Sequence, residues 1–371
     1  MEEHPLLKPT DYLKFALRNG DLGKFVGSSR QESVIDISGK LADFWDTFRA
    51  VYPNHQIFQH GYDPFGVIPT YVHGDEGRGR KHNGVMVLSL QGAIGKGARH
   101  SIRKRIWKPK QKRWIGMNLA GRSFLTRMFF SVMPKFMYSD NPVVFNDLLG
   151  HLIDDLDEAF HEGVVFQGHT WRLANLGVKG DLPFVVKVGS FKRAFSHVPK
   201  QASSKAPCVG ICHRCMGGCP DVPFEDVNDS CEWLLTVGHE EPWTELPDIL
   251  RLAHNPDDPT DVFKFDIFHL WHCGLGKNFL ASVIVLMIPC FPYNKVERCL
   301  EAATASFKLH CKTKRFSPNL RTITRELLGY AASTDSPVGH WSKGGDTTFL
   351  LSWVESFLEQ YLLSHPDADH K

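Results

Sequence analysis

Residues 67–90 read VIPTYVHGDEGRGRKHNGVMVLSL, and the organisation of the chain is worked out from this stretch. Two apolar runs, VIPTYVHGD from Val67 and GVMVLSL from Gly84, flank the loop-like EGRGRKHN, a pattern that predicts a hairpin. Phe124–Tyr138 is apolar enough for a third strand, interrupted by Pro134. A helix should follow: Asn141 is a capping residue, and Pro142 suits a first helical position. Val144, Leu148, Leu152, Leu156 and Phe160 then recur every four residues up to Gly163. The acids of that helix, Asp154, Asp155, Asp157 and Glu158, read as a solvated face. TWRLANLGVKGD from Thr170 predicts a further strand running into Gly180-Asp181. The order strand, strand, strand, helix, strand sets Asp75 and Asp181 at the ends of the first and fourth strands, on neighbouring parts of one sheet.

Outside this region the organisation is coarser. Residues 1–65 carry mixed helical signals, such as Leu41, Phe44, Phe48 and Val51, and no chemical motif. The linker-like QASSKAP at 201–207 and the turn-rich NPDDPTD at 255–261 bracket an expected insertion rich in cysteine. The expected segments are therefore 1–65, a core at 66–200, a Cys-rich zinc-binding insertion at 201–265, and 266–371, which completes the core. Near the C-terminus Asp346-Thr347-Thr348 predicts an N-cap for a helix to about Leu363. Its core stripe is Leu350, Val354, Phe357 and Tyr361, with Glu355 on the flank and Glu359 further outward.

Hydrophobic residues at 42% and charged residues at 23% are the balance of a folded chain and argue against a disordered or fibrous one. The N-terminal MEEHPLLKPTDYLKF lacks the basic start and apolar run of a signal peptide, so secretion is not expected. The apolar run Phe279–Phe291 is broken by Pro289 and too short for a bilayer span, so it reads as a buried helix and no membrane partner is expected. A net charge of +2 hides a local feature. Lys96, Arg99, Arg103, Lys104, Arg105, Lys108, Lys110, Lys112 and Arg113 follow one another without an intervening acid, with Trp107 and Trp114 among them. Such a run can set cations on phosphates and indole faces on bases, which points to DNA.

Phosphodiester chemistry needs charge neutralised on the attacking and leaving oxygens together, which two metals about 4 Å apart achieve. Hard cations such as Mg²⁺ or Mn²⁺ take oxygen ligands, so acids distant in sequence must converge. Asp75 in HGDEGRG and Asp181 in KGD are candidates, although each is also a good turn sequence. Glu355 is the candidate third acid, against a plain surface glutamate. Cys212-His-Arg-Cys215 has the spacing of half a tetrahedral Zn²⁺ site. Its completion is open among Cys208, Cys219, Cys231 and the cluster Asp266, His269, His272 and Cys273, and a group of ordinary thiols is the bland alternative. Gly274-Leu-Gly-Lys277 lacks the full phosphate-loop pattern, which excludes a nucleoside triphosphate site of that kind.

Taken in order, Asp181-Leu-Pro183, Cys212 and Cys215, then Asp266-Ile-Phe-His269 followed by Gly274-Leu-Gly276 and an apolar helix resemble the DDE transposases of the RNase H-like superfamily, nearest the CACTA and KDZ groups. The resemblance spans roughly residues 66–360. It implies an α/β fold with an RNase H-like mixed sheet flanked by helices and a Cys-rich, partly helical insertion. It further implies catalytic metal held by Asp75 and Asp181, a third acid after the insertion, and structural Zn²⁺ on Cys212, Cys215 and His269. The expected protein is a nuclear, element-derived transposase acting on DNA, compatible with a homo-oligomer. The alternative is a catalytically inactive, domesticated or degenerate, zinc-stabilised DNA-binding protein. His269 is followed by Leu270-Trp271-His272-Cys273, which allows a shifted ligand set.

Overall fold

The run from Val67 forms β1 (Val67–Arg78), and the run from Gly84 forms its antiparallel neighbour β2 (Gly84–Gly92), pairing Thr70 with Gly92 through to Arg78 with Gly84. In this computed structural model the described residues are 4–27, 33–78, 84–95, 116–117, 127–197, 209–331 and 336–365. The basic segment 96–113, residues 79–83 and the linker-like sequence 201–207 lie outside them. A two-residue pair, β3 (Ile94–Gly95) and β4 (Gly116–Met117), precedes β5 (Arg127–Pro134), which is antiparallel to β2. Pro134 ends β5 and does not interrupt it. The strand lies at the sheet edge, where a missing N–H breaks no ladder bond.

The sheet is completed after a helix by β6 (Val164–Phe166) and β7 (His169–Gly180), an antiparallel hairpin, with β7 parallel to β1. Gln167 and Gly168 both have positive φ, 51° and 78°, as a two-residue hairpin turn requires. The resulting five-stranded mixed sheet has the order β5-β2-β1-β7-β6, and the fold is mixed α/β. Between Thr70 and Val72 one residue of β1 faces two of β7, Leu176 and Gly177, a bulge at which Gly177 takes φ 140°. A Cβ there would stand 2.3 Å from the Val262 carbonyl oxygen, so both backbone geometry and space call for glycine.

Helices α1 (Pro9–Asn19), α2 (Val34–Val51), α3 (Pro142–His161) and α4 (Leu182–Gly189) belong with the sheet in the first of two units, Met1–Lys264. The helix expected after Asn141 forms as its capping chemistry dictates: the Asn141 side chain accepts from the Val143 amide, and Leu148, Leu152, Leu156 and Phe160 are buried. One part of that expectation is overturned. Asp155 is only 2% exposed, because Thr10 at the start of α1 donates to it twice, from its amide at 2.9 Å and its hydroxyl at 2.7 Å. The acid is a polar pin between two helices, set in place of a side-chain cap that Lys8 cannot provide. On α2 Leu41 is fully buried and Val51 is exposed, so the stripe ends one turn early.

The second unit, Phe265–Lys371, is helical among its described residues. A π-helical stretch at Phe268–Leu275 leads into α6 (Gly276–Leu286), after the short α5 (Glu232–Leu235) of the first unit, and is followed by α7 (Val296–Lys314) and α8 (Gly344–Ser364). Leu280, Ile284, Phe307, Leu350 and Trp353 form its core. The Phe279–Phe291 run is amphipathic and not wholly buried: α6 stops at Leu286, and Phe279 and Leu286 are exposed. Asp346 is not the cap of α8. It lies inside the first turn, 1% exposed, accepting from the Asn319 amide at 2.9 Å. Among the described residues no helix is long and apolar enough to cross a membrane.

The Asp155 pin yields a direct test. Asp155→Ala strips the acceptor from two buried donors and should destabilise the chain by about 2–4 kcal/mol, read as a lower urea midpoint with an unchanged slope. A loss below about 0.5 kcal/mol would show that α1 is held by apolar packing alone.

Candidate functional site

The end of β1 is built around a ring. Phe184 on α4 lies over Gly74, where a Cβ would come within 2.2 Å of the ring, and the Phe145 ring of α3 meets Phe184 edge-on at 6.4 Å. Gly74 is paired in register with Gly180, whose own Cβ would stand 1.9 Å from the Gly74 carbonyl oxygen. These glycines serve close packing of helix on sheet, a use that their appearance around an acid does not reveal. The next residues along the two parallel strands are Asp75 and Asp181. Asp181 keeps an extended backbone at φ −66° and ψ 155°. Side chains alternate along a strand, and paired residues share a face. Asp75 thus leaves the sheet on the side opposite Phe184, whereas Asp181, just beyond the last paired residue of β7, turns back to cap α4, and its charge acts on Tyr138 and Lys187. The same alternation puts Tyr71, His73 and Lys179 on the Asp75 side, with the Lys179 ammonium 4.9 Å from the Tyr71 ring centre.

One oxygen of Asp181 is engaged, since Oδ1 accepts from the Phe184 amide at 2.8 Å and caps α4. Pro183 occupies the first turn, so the Asp-Leu-Pro sequence is locally a helix start. On the opposite side of β1 Glu76 accepts from Lys135 Nζ at 2.6 Å and from the Tyr138 hydroxyl at 2.8 Å. Burial works to raise its pKa, but these two bonds and the Lys135 and Lys187 charges leave it lowered. The Lys187 ammonium lies 4.3 Å from the Tyr138 ring centre, and burial brings its pKa down. This network was missed in the sequence. The available signal was the period of two, which separates Glu76 from Asp75 by one face.

Glu355 is exposed on α8 within the second unit. Among the described residues no group of three or more His, Cys, Asp or Glu side chains is arranged to hold a metal ion. What the first unit offers is an aspartate pair and, separately, a cysteine pair. The Cys215 thiol hydrogen-bonds Cys212. That bond, with the amides of Arg214 and Cys215 and the Arg193 charge, outweighs burial and holds the Cys212 thiol at about 6, while Cys215 is raised. Cys219 and Cys231 lie in the same segment without a disulfide, Cys231 being buried. In the second unit His269 Nδ1 lies 3.2 Å from Asp266 Oδ2, which fixes the ring and directs its other nitrogen away from that carboxylate.

The Cys-rich segment is pinned to the first unit by a buried cation. Arg193, 2% exposed, donates to the carbonyls of Glu240 at 2.6 Å, Glu241 at 3.1 Å and Cys212 at 3.4 Å. Beside it Phe191 stacks on His213 at 4.9 Å and meets Phe263 edge-on at 4.7 Å. Arg214 pairs with Asp258 and Asp261. No protein-family model matches this chain, and no curated protein or solved structure matches it.

Burial lowers His213 to about 4, and burial together with His254 and Lys264 lowers His55 to about 4. Both folded values lie below the unfolded value of about 6.5. Between these limits the unfolded chain binds more protons, so stability falls as pH drops through the window from about 6.5 to about 4. The urea midpoint should be lower at pH 5 than at pH 7.5, and His213→Phe should lessen that difference. Equal midpoints at the two pH values in the parent would contradict the burial of these rings.

Proposed function

We propose that the chain carries the RNase H-like core of a transposon-derived DDE transposase, with the Cys-bearing segment as its insertion. The observation that carries this reading is the parallel β1–β7 pair, whose last couple, Gly74 and Gly180, is followed on one strand by Asp75 and on the other by Asp181, more than a hundred residues apart in the chain. The sheet order β5-β2-β1-β7, an antiparallel meander followed by a helix and a strand parallel to the first, supports the RNase H-like assignment. The chain would act on DNA in the nucleus, with the basic segment 96–113 supplying phosphate contacts.

Carboxylates are hard oxygen donors of the kind that hold Mg²⁺ or Mn²⁺ together with substrate phosphate, and that is the donor chemistry Asp75 and Asp181 would bring. Such a metal supplies charge neutralisation on the reacting oxygens. The contribution of the chain is to preset the acids: the Gly74–Gly180 contact fixes their spacing, and the Phe184 amide holds one Asp181 oxygen so that the carboxylate cannot rotate freely. Glu355 stands as the proposed third acid. Cys212 and Cys215 suit one half of a structural Zn²⁺ site.

A second reading, an inactive DNA-binding protein on the same fold, is favoured by one observation: no described group of three side chains is arranged around the aspartate pair. Purified full-length chain with Mg²⁺ or Mn²⁺, offered a plasmid bearing the sequences that flank its gene, separates the two. Nicking or joining that falls at least a hundredfold in both Asp75→Asn and Asp181→Asn, with DNA binding retained, is the expected result. Salt-dependent binding without cleavage selects the inactive protein, and activity undiminished by either substitution removes the aspartates from the chemistry.

A further inference from the structure

Beside the start of β1, about 26 Å along the strand from Asp75 at ~3.3 Å per residue, the first unit opens a cavity of about 140 Å³. Trp45, Phe58 and Tyr62 wall it, Val67 lies at its base, and Asp46 and Arg49 stand at its edge. The volume decides the class of occupant, because a cavity of ~150 Å³ takes a single aromatic ring. At Gly61 and Tyr62 it is continuous with a groove of about 720 Å³ that runs past the half-exposed Phe65 to Arg172.

The cations are placed with the rings. The Arg49 guanidinium lies 4.3 Å from the Phe58 ring centre and that of Arg172 3.8 Å from the centre of Tyr62. Among the described residues Arg49 forms no ion pair, which leaves its charge available to a ligand. The Arg172 guanidinium is oriented by the carbonyls of Phe160 and His161. An arginine fixed against an aromatic face presents a flat cationic platform. One-ring volume, an adjoining acid that can accept from a ring amine or imine, and arginine platforms along a groove match a base with its phosphates.

We propose that this cleft binds a single-stranded nucleic acid segment, with one base in the cavity and the neighbouring nucleotides along the groove. The binding is independent of the strand-end aspartates. A paired base is stacked on both sides and cannot enter, so the cleft discriminates single strand from duplex. A peptide carrying an aromatic side chain is the competing occupant. Its ring would fit, but it would leave the two arginines without a phosphate to neutralise.

The test compares full-length chain with a fluorescein-labelled oligo(dT) dodecamer and with a duplex of the same length. Contacts from the basic segment 96–113 act on both probes, so the informative quantity is the ratio of the two affinities. The parent should favour the single strand. Arg49→Ala and Phe65→Ala, both at exposed positions, should each lower the ratio about tenfold, and Arg49→Lys should recover part of the loss. Urea midpoints within error of the parent establish that the variants are folded. An unchanged ratio in both alanine variants, equal binding of the two probes by the parent, or displacement of oligo(dT) by a phenylalanine-containing peptide at a lower concentration than by unlabelled oligo(dT) would each overturn the proposal.

Discussion

The seating of the Phe184 ring over Gly74 is the contact on which the arrangement of the first unit depends. It needs a glycine on β1, a glycine opposite on β7 and a helix that begins immediately after that strand, and the sequence supplies Gly74, Gly180 and Asp181-Leu-Pro183. Parallel pairing is demanding, because its two strands can be joined only by a long crossover. Here the crossover contains β2, β5, α3 and β6. A one-residue slip of β7 would set a Cβ-bearing residue against the Gly74 carbonyl oxygen and turn its apolar residues to the wrong face. Core packing and placement of the two aspartates are thus one constraint.

Much of this was legible in the residues. The apolar runs from Val67 and Gly84 gave their strands, and Asn141-Pro142 with its four-residue spacing gave α3, because a half-buried strand and an amphipathic helix write their periods into the sequence directly. The partnership of the first and last long strands was inferred from order alone. Other features were illegible for a physical reason: they depend on partners far away in the chain. Asp155 has the sequence surroundings of a solvated acid, yet Thr10 buries it. Asp346 looks like a cap because Asp and Thr favour that position, but the Asn319 amide draws it inside the helix. Gly74 and Gly180, each next to an acid, read as turn residues, whereas their nearer cause is the close packing of helix on sheet.

Charge in the first unit is organised by burial as much as by pairing. Arg193 sits almost without solvent and is satisfied by three carbonyls, with the Glu240 carboxylate 3.7 Å away, and so fastens the Cys-rich segment. His213 stays neutral between aromatic neighbours for the same reason. Glu76 and Lys135, one face away from Asp75, absorb each other's charge at the edge of the sheet.

The closest test of the account is whether Asp75 and Asp181 are neighbours in solution. With Asp75→Cys and Asp181→Cys combined, a short dithiol-bridging reagent should link the two positions within one chain, identified by a cross-linked peptide pair in the mass spectrum, and either single variant should give no such pair. The two positions follow the Gly74–Gly180 couple on strands that lie about 5 Å apart, within reach of the reagent. Absence of that peptide pair from a folded double variant in which both thiols react singly would contradict the shared strand end.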